Sequence, residues 1–486
     1  MDRLNDLPTA KLWEIFQELA KIPHASGNES HIAGWILKFA KKNHIEGQLD
    51  KAGNVILRKK ASKGFEHAPA VCMQGHMDMV AVRGENSRHD FSKDPLKLKI
   101  VEIKDIPYVT ADNTTLGADD CIGVAAALAI MTDPDLEHGP LEALFTVGEE
   151  TSMVGMNAFE ANQLKCRYML NLDSENDEEV TVGCAGGEDA RFEFPLNYQS
   201  YDRYSAVTLS LAGLTGGHSG IEIHKKRANA IQTLALILRE IGNHYNISLQ
   251  KISGGTFRNA IPNEVSAVIG CAGSDCGDLI KLCKELENGV KEQYAKTDPN
   301  LILLAEAESV SSFRGISHDD TMNIIETLCE MPDGIIRMSD EFSDTVETSC
   351  NLGLIRTLED KITTESLMRS FIDTRPVCNI LDSIAEKHHV SVAFSNKYPG
   401  WTPDKNSSLL KTYCRIYEDF NFKKTAVCVI HAGVECGLML NKYPDIDVIS
   451  FGPTITGAHT VDEKVSVYSV EKFYGLLIEL IGELAV

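Results

Sequence analysis

The chain has little of what marks membrane, secreted or nucleic-acid-binding proteins. No run approaches the roughly 18 consecutive apolar residues that a membrane helix needs, which excludes a helical span. It has no Cys-x-x-Cys pair, and its 13 cysteines are odd in number and scattered, which argues against a disulfide framework and for a reducing compartment. Cys72, Cys121, Cys428 and Cys436 sit in apolar or glycine-rich runs and read as small buried hydrophobes. Positive charge is scarce: 47 Lys and Arg stand against 70 Asp and Glu, for a net charge of −23 and a pI near 5.1. That balance excludes the basic footprint of a nucleic-acid binder and favours solubility. Residues 1–18 are acidic and lack the apolar core of a signal peptide, so a cytoplasmic location is expected.

What is present is a soluble globular pattern. At 486 residues and 43% apolar, the chain is long enough for about two or three domains with a sizeable core. Leu12, Ile15, Phe16 and Leu19 recur at helical spacing, as do Ile32, Trp35, Ile36 and Phe39. Apolar runs at 70–73, 141–147 and 168–172 read as strands, and a small-residue helix is predicted over 121–131. Strands alternating with helices to about residue 183 predict an α/β domain with a doubly wound, largely parallel or mixed sheet. After Gly186-Gly187 the pattern changes to strands and amphipathic helices, and a similar order recurs from Leu301 without a strict sequence period. Residues 190–397 are therefore expected to form an inserted α+β domain, a candidate for two related halves. Residues 1–189 and 398–486 would form the other, discontinuous domain.

Ligand-type residues fall at equivalent places in this pattern. His76, Asp119, Glu149-Glu150, Asp173 and His459 each follow a predicted strand or open the next helix. In an open α/β sheet that is the edge where ligands bind. Any one of them alone reads as a cap or turn residue; Asp119, for instance, is an ordinary helix N-cap candidate. Together they crowd carboxylates with no Lys or Arg among them, a repulsion that a divalent cation resolves. Two imidazoles with several carboxylates suit Zn²⁺, with Co²⁺ or Mn²⁺ as alternatives. In His76-Met77-Asp78 the two polar side chains share one side of an extended backbone, so Asp78 can take the second imidazole N–H and orient His76. Glu149 and Glu150, on an extended backbone, would point opposite ways: one towards a metal, the other free to accept a proton from metal-activated water.

His76-Met77-Asp78, Gly117-Ala118-Asp119-Asp120, Gly148-Glu149-Glu150, Asp173 and Gly457-Ala458-His459 resemble, in order and spacing, the di-zinc peptidases related to carboxypeptidase G, carnosinase and aminoacylase. Residues 213–220 (Gly-Leu-Thr-Gly-Gly-His-Ser-Gly) are similar to the lid signature of that group. Residues 257–264 and 431–437 narrow the resemblance to its aminoacyl-histidine dipeptidase branch, over essentially the full length. The resemblance implies two Zn²⁺ per chain. Asp119 would bridge them, His76 and Asp173 would complete one site, and Glu150 and His459 the other. Glu149 would be the general base, and a cis peptide would follow Asp119. It implies that His218 hydrogen-bonds the oxyanion, with Asn259 nearby, and that a lid arginine clamps the substrate carboxylate. Arg369 is the residue chosen for that clamp and Arg375 the alternative. Glu435 would receive the substrate's free amine.

The expected activity is hydrolysis of dipeptides with an unblocked N-terminus, especially Xaa-His such as carnosine. The expected partners are the small dipeptide and a second copy in a homodimer, with neither nucleic acid nor membrane. An N-acyl amino acid amidohydrolase of the same fold is the enzymatic alternative, which comparing a dipeptide with its N-acetyl form separates. A non-catalytic peptide-binding module is the other; it would have a degraded ligand set, whereas every expected ligand is present here.

Overall fold

The computed structural model describes residues 4–342 and 344–486. The chain divides into two units, the first built from Met1–Gly183, Pro403–Val429 and Val434–Val486, the second from Cys184–Thr402 and Ile430–Gly433.

The first unit is organised by strand Val71–His76, buried along its whole length. It runs parallel to Leu141–Thr146 on one side and to Tyr168–Asn171 on the other, and Asp447–Ser450 extends the parallel set beyond Tyr168–Asn171. Antiparallel strands flank these four, so the eight-stranded sheet is mixed. Beneath it lies helix Ala118–Thr132, with Cys121 to Met131 buried on every face. Small side chains let it approach the sheet closely, and an all-apolar helix must be covered all round. Helix Ala10–Ala20, whose Leu12, Trp13, Ile15, Phe16 and Leu19 are buried, packs on it. A smaller sheet pairs the hairpin Leu98–Ile103 and Ile106–Ala111, unforeseen from the sequence, with Lys464–Ser466 and Ile455–Thr456.

The second unit is built on one nine-stranded antiparallel sheet, with two short two-stranded sheets beside it. Its path runs through Ile302–Ser309, Tyr204–Ala212, Val265–Ala272, Ser248–Gly254, Val346–Thr357, Lys361–Ser370, Gly186–Pro195 and Ser391–Tyr398, with Gly334–Met338 paired alongside Val346–Thr357. The first four and last four strands of that path meet at the register pairs Ser253–Arg356 and Gly254–Ile355. Helices Ala230–His244, Cys276–Gln293, His318–Glu330 and Arg375–His388 supply apolar faces to a core that includes Phe192, Leu209, Leu234, Ile269, Leu328, Leu352 and Leu381. Strand Gly186–Pro195 belongs to this sheet from its first residue, because Gly186 and Gly187 pair with Ser370 and Arg369. The unit therefore begins earlier than residue 190, and its division from the first unit falls at 183/184 and 402/403.

Candidate functional site

In the first unit the four parallel strands end side by side, and the loops leaving them carry the titratable residues. His76 is the last residue of its strand; residues 148–150 follow Leu141–Thr146, Asp173 follows Tyr168–Asn171, and His459 lies in the segment after Asp447–Ser450. Asp119 comes from the kinked start of helix Ala118–Thr132, where the Asp119–Asp120 peptide is cis and both residues leave helical geometry. The Glu463 carboxylate, 2% exposed, fastens that turn: it accepts the N–H groups of Leu116 (2.7 Å), Gly117 (3.1 Å) and Ala118 (2.8 Å).

These loops converge on Asp119. Its Oδ1 is 3.0 Å from His76 Nε2, which is also 3.4 Å from Asp173 Oδ1. Its Oδ2 is 3.1 Å from His459 Nε2, which is 2.9 Å from Glu150 Oε1. Each carboxylate oxygen of Asp119 thus faces its own imidazole and its own second carboxylate. His459 takes a left-handed backbone, φ 63°, uncommon for a residue with a β-carbon and frequent where function constrains the chain.

The electrostatics ask for added positive charge. Asp119 and Glu150 push His459 up to about 11. Burial opposes protonation of His76, yet Asp173, Asp119 and Asp78 carry it well above its ordinary range. Burial, and then the charge of Asp173, Glu150 and Asp119, lifts the Glu149 carboxyl to about 8. Glu150 Oε1 is buried and lacks a hydrogen bond of good geometry, although an imidazole nitrogen lies 2.9 Å away. Two lone pairs aimed at a shared point rather than at each other are what a common cation requires. His76, Asp119 and Glu150 offer ligand atoms within 4.8 Å of one another. The donor set therefore fits a divalent metal.

Two sequence expectations change. Glu149 and Glu150 are not on an extended strand; they open the short helix Glu149–Ser152, entered through Gly148 at φ 64°. They diverge because adjacent helical side chains are about 100° apart. Asp78 does not orient His76 chiefly through its carboxylate, which is 3.5 Å from Nδ1; its backbone carbonyl accepts that N–H at 3.0 Å. The carboxylate instead accepts the Ser26 hydroxyl (2.9 Å) and the N–H groups of Glu149 (3.0 Å) and Glu150 (3.3 Å).

Glu435 is 1% exposed, and burial together with Glu149 lifts its carboxyl to about 8. Its Oε2 accepts Gln74 Nε2 (2.6 Å) and the Thr146 hydroxyl (2.7 Å), while Oε1 is buried without a partner. Asn171 Nδ2 in turn donates to Gln74 Oε1 at 2.6 Å. Sequence reading passed over Gln74, Thr146 and Asn171, yet each is a polar residue near the end of an apolar strand, a signal that was available.

The second unit gathers a separate polar group. His218 Nδ1 accepts the N–H groups of Gly220 (3.1 Å) and Ile221 (3.2 Å), which assigns the ring proton to Nε2. Burial and the nearby Arg369 charge lower its pKa, so it is a neutral donor. Asn259 lies on the adjoining segment: its carbonyl accepts the Ser219 N–H at 2.9 Å, and Ala260 is the register partner of His218. Arg369 is 5% exposed; Nη1 donates to the Tyr398 hydroxyl at 2.9 Å and Nε has no partner. No carboxylate lies within 4 Å of its guanidinium among the described residues. Arg375, by contrast, is a surface residue paired with Asp373 at 2.5 Å. His431, not anticipated, hydrogen-bonds Ser349 Oγ through Nε2 at 2.7 Å. Burial, then the charge of Arg369, pushes it down to about 3.

The profile of Peptidase family M20/M25/M40 matches residues 72–483. Cytosol non-specific dipeptidase of Escherichia coli (strain K12) is 37% identical over 489 residues, covering 100% of this chain and 99% of that protein. The crystal structure of aminoacylhistidine dipeptidase from Vibrio alginolyticus superposes with a TM-score of 0.89 at 36% identity, covering 99% of this chain and 97% of that one. Aminopeptidase PepT from Bacillus cereus ATCC 10987 shares the fold, with a TM-score of 0.56 at 16% identity, covering 99% and 100%.

Proposed function

Because the chain belongs to peptidase family M20/M25/M40, we propose that it is a metal-dependent dipeptidase acting on dipeptides with a free N-terminus, Xaa-His among them. The observation that carries this reading is the division of Asp119: one oxygen faces His76 and Asp173, the other His459 and Glu150. Two cations, Zn²⁺ by donor type with Co²⁺ or Mn²⁺ as alternatives, would be held with Asp119 between them. Such cations supply Lewis acidity towards the scissile carbonyl and the attacking water.

The chain's own residues do the rest. Glu149, half-buried and fixed at the backbone by Asp78, accepts a proton from the attacking water and returns it to the departing amine. Glu435, with one oxygen unpartnered, receives the substrate's ammonium group. His218 presents Nε2–H to the carbonyl oxygen as charge builds there, with Asn259 beside it. Arg369, a buried guanidinium with no carboxylate of its own, takes the terminal carboxylate and so measures length. A homodimer is part of the reading, supported by exposed apolar side chains of the second unit such as Leu236 (42%) and Met338 (41%), and light scattering in solution tests it. A cytoplasmic location rests on the relative named a cytosol dipeptidase and on thirteen cysteines with no disulfide among the described residues.

The test is a panel on the zinc-loaded protein: Ala-His, Ala-Leu, N-acetyl-Ala-His and Ala-Ala-His. Turnover of the two free dipeptides, with little or none of the other two, is the expected result. Faster hydrolysis of the N-acetyl compound would replace this reading with an amidohydrolase.

A further inference from the structure

Four strands of the second unit place Ser349, Arg369, Gly187 and Tyr398 in one register row: Ser349 pairs with Arg369, Arg369 with Gly187, and Gly187 with Tyr398. Residues in such a row project from the same face of a sheet. The middle position is empty of side chain, so the residues on either side of it meet across the glycine. A β-carbon at Gly187 would lie 2.4 Å from the Tyr398 hydroxyl and 2.5 Å from its Cζ. The phenol ring therefore rests on the Gly187 backbone, with its hydroxyl 2.9 Å from Arg369 Nη1. Gly433 closes the other side of the ring, where a β-carbon would be 2.9 Å from Tyr398 Cε2.

Tyr398 reaches this place through a bulge. Between the pairs Ser395–Asp189 and Tyr398–Gly187, its strand advances three residues while Gly186–Pro195 advances two. An extra residue re-aims the side chains that follow it. Asn396, inside the bulge, has φ 52° and is anchored through Nδ2 to Asp189 Oδ2 at 2.7 Å. On the far side of Arg369, Ser349 is small and its hydroxyl is engaged by His431. Along this row the Arg369 guanidinium is flanked by uncharged groups, with the Arg258 and Asp189 charges acting on it from beyond the row, and the Tyr398 hydroxyl is its one hydrogen-bond partner among the described residues.

We infer that Tyr398 is a positioning residue for Arg369: by holding Nη1 across Gly187 it fixes the plane of the guanidinium, leaving the remaining N–H groups aligned for a bidentate carboxylate. This rests on the reading of Arg369 as the group that takes the substrate's terminal carboxylate. A lone guanidinium on a flexible stem must be ordered before it can bind two oxygens at once, and an ordering contact made in advance lowers that cost. The hydroxyl contributes through the arginine and makes no claim on the reacting atoms.

The experiment uses the zinc-loaded full chain, Ala-His, and its C-terminal amide Ala-His-NH₂. Tyr398→Phe keeps the ring on Gly187 and removes one oxygen. It is expected to raise KM for Ala-His roughly fivefold, the net worth of one ordinary intramolecular hydrogen bond, with kcat within about twofold and both constants for the amide unchanged. Gly187→Ala, which displaces the phenol, is expected to act in the same direction with the same selectivity for the acid. Equal effects on acid and amide, or a fall in kcat at constant KM, would overturn the inference. Arg369→Met separates the two levels. If it abolishes discrimination between acid and amide while Tyr398→Phe leaves that discrimination intact, the positioning role falls and the carboxylate reading stands. If Arg369→Met leaves the discrimination intact, both fall.

Discussion

The Asp78 carboxylate accepts the backbone N–H of Glu149 at 3.0 Å. Asp78 is fully buried, and this bond ties the end of strand Val71–His76 to the first turn of helix Glu149–Ser152. One residue thereby serves both halves of the proposed chemistry: its carbonyl fixes the His76 ring, and its carboxylate fixes the segment bearing Glu149 and Glu150. Asp78→Asn leaves one good acceptor where two are used. It is expected to weaken metal binding by roughly 10- to 100-fold, as for other groups that orient a ligand. Competition with a chromophoric chelator measures this, and unchanged affinity would refute the role.

Glu149 and Glu150 are neighbours with different surroundings. Only Glu150 reaches an imidazole, at 2.9 Å from His459, whereas Glu149 is hemmed in by burial and negative charge. Glu149→Gln is therefore expected to retain the metal and lose roughly 10²- to 10⁴-fold in kcat. Glu150→Gln should lose metal itself. Elemental analysis beside the kinetics distinguishes the two, and near-normal kcat in Glu149→Gln would remove it as the base.

Arg369 and Arg375 are six residues apart but differ in environment: the first is 5% exposed and the second has a 79% exposed side chain with its own aspartate. Arg375→Met should leave the kinetics within about twofold, as for loss of an exposed ion pair. Arg369→Met should raise KM for dipeptides by tenfold or more, the order expected for a charge-assisted pair. The reverse ranking would move the clamp to Arg375.

Asp333 offers a test of stability against pH. Burial raises its carboxyl to about 6, while its Oδ1 accepts Asn229 Nδ2 (2.8 Å) and the Leu352 N–H (2.9 Å). A raised acid means that the native state binds more protons than the unfolded chain between roughly pH 4 and 6, so this group's contribution improves as pH falls through 6. Asp333→Asn keeps an oxygen for both donors and removes the charge. It is expected to raise Tm at pH 8, with the advantage shrinking towards pH 4; an equal shift at both pH values would contradict the assignment.

Much of the site was legible because it follows a local rule. His76, Asp119, Glu150, Asp173 and His459 each stand just past an apolar run or at the start of a helix, and in a parallel sheet those positions share an edge whatever the separation along the chain. The departures have one physical origin, contacts between distant segments. Glu463 lies more than 340 residues from the turn it fastens. Asp78 spends its carboxylate on N–H groups 71 and 72 residues away. The extended geometry assigned to Glu149-Glu150 failed at Gly148, where the backbone turns into a helix.

Apolar periodicity and motifs read in order were thus enough for the mixed sheet, the family and the places along the chain where the candidate ligands stand. Tertiary structure alone decided how the side chains are aimed. That each oxygen of Asp119 faces a different histidine, and that Tyr398 crosses Gly187 to reach Arg369, depends on register and on a bulge. A shift of one residue in either would turn those groups to the opposite face.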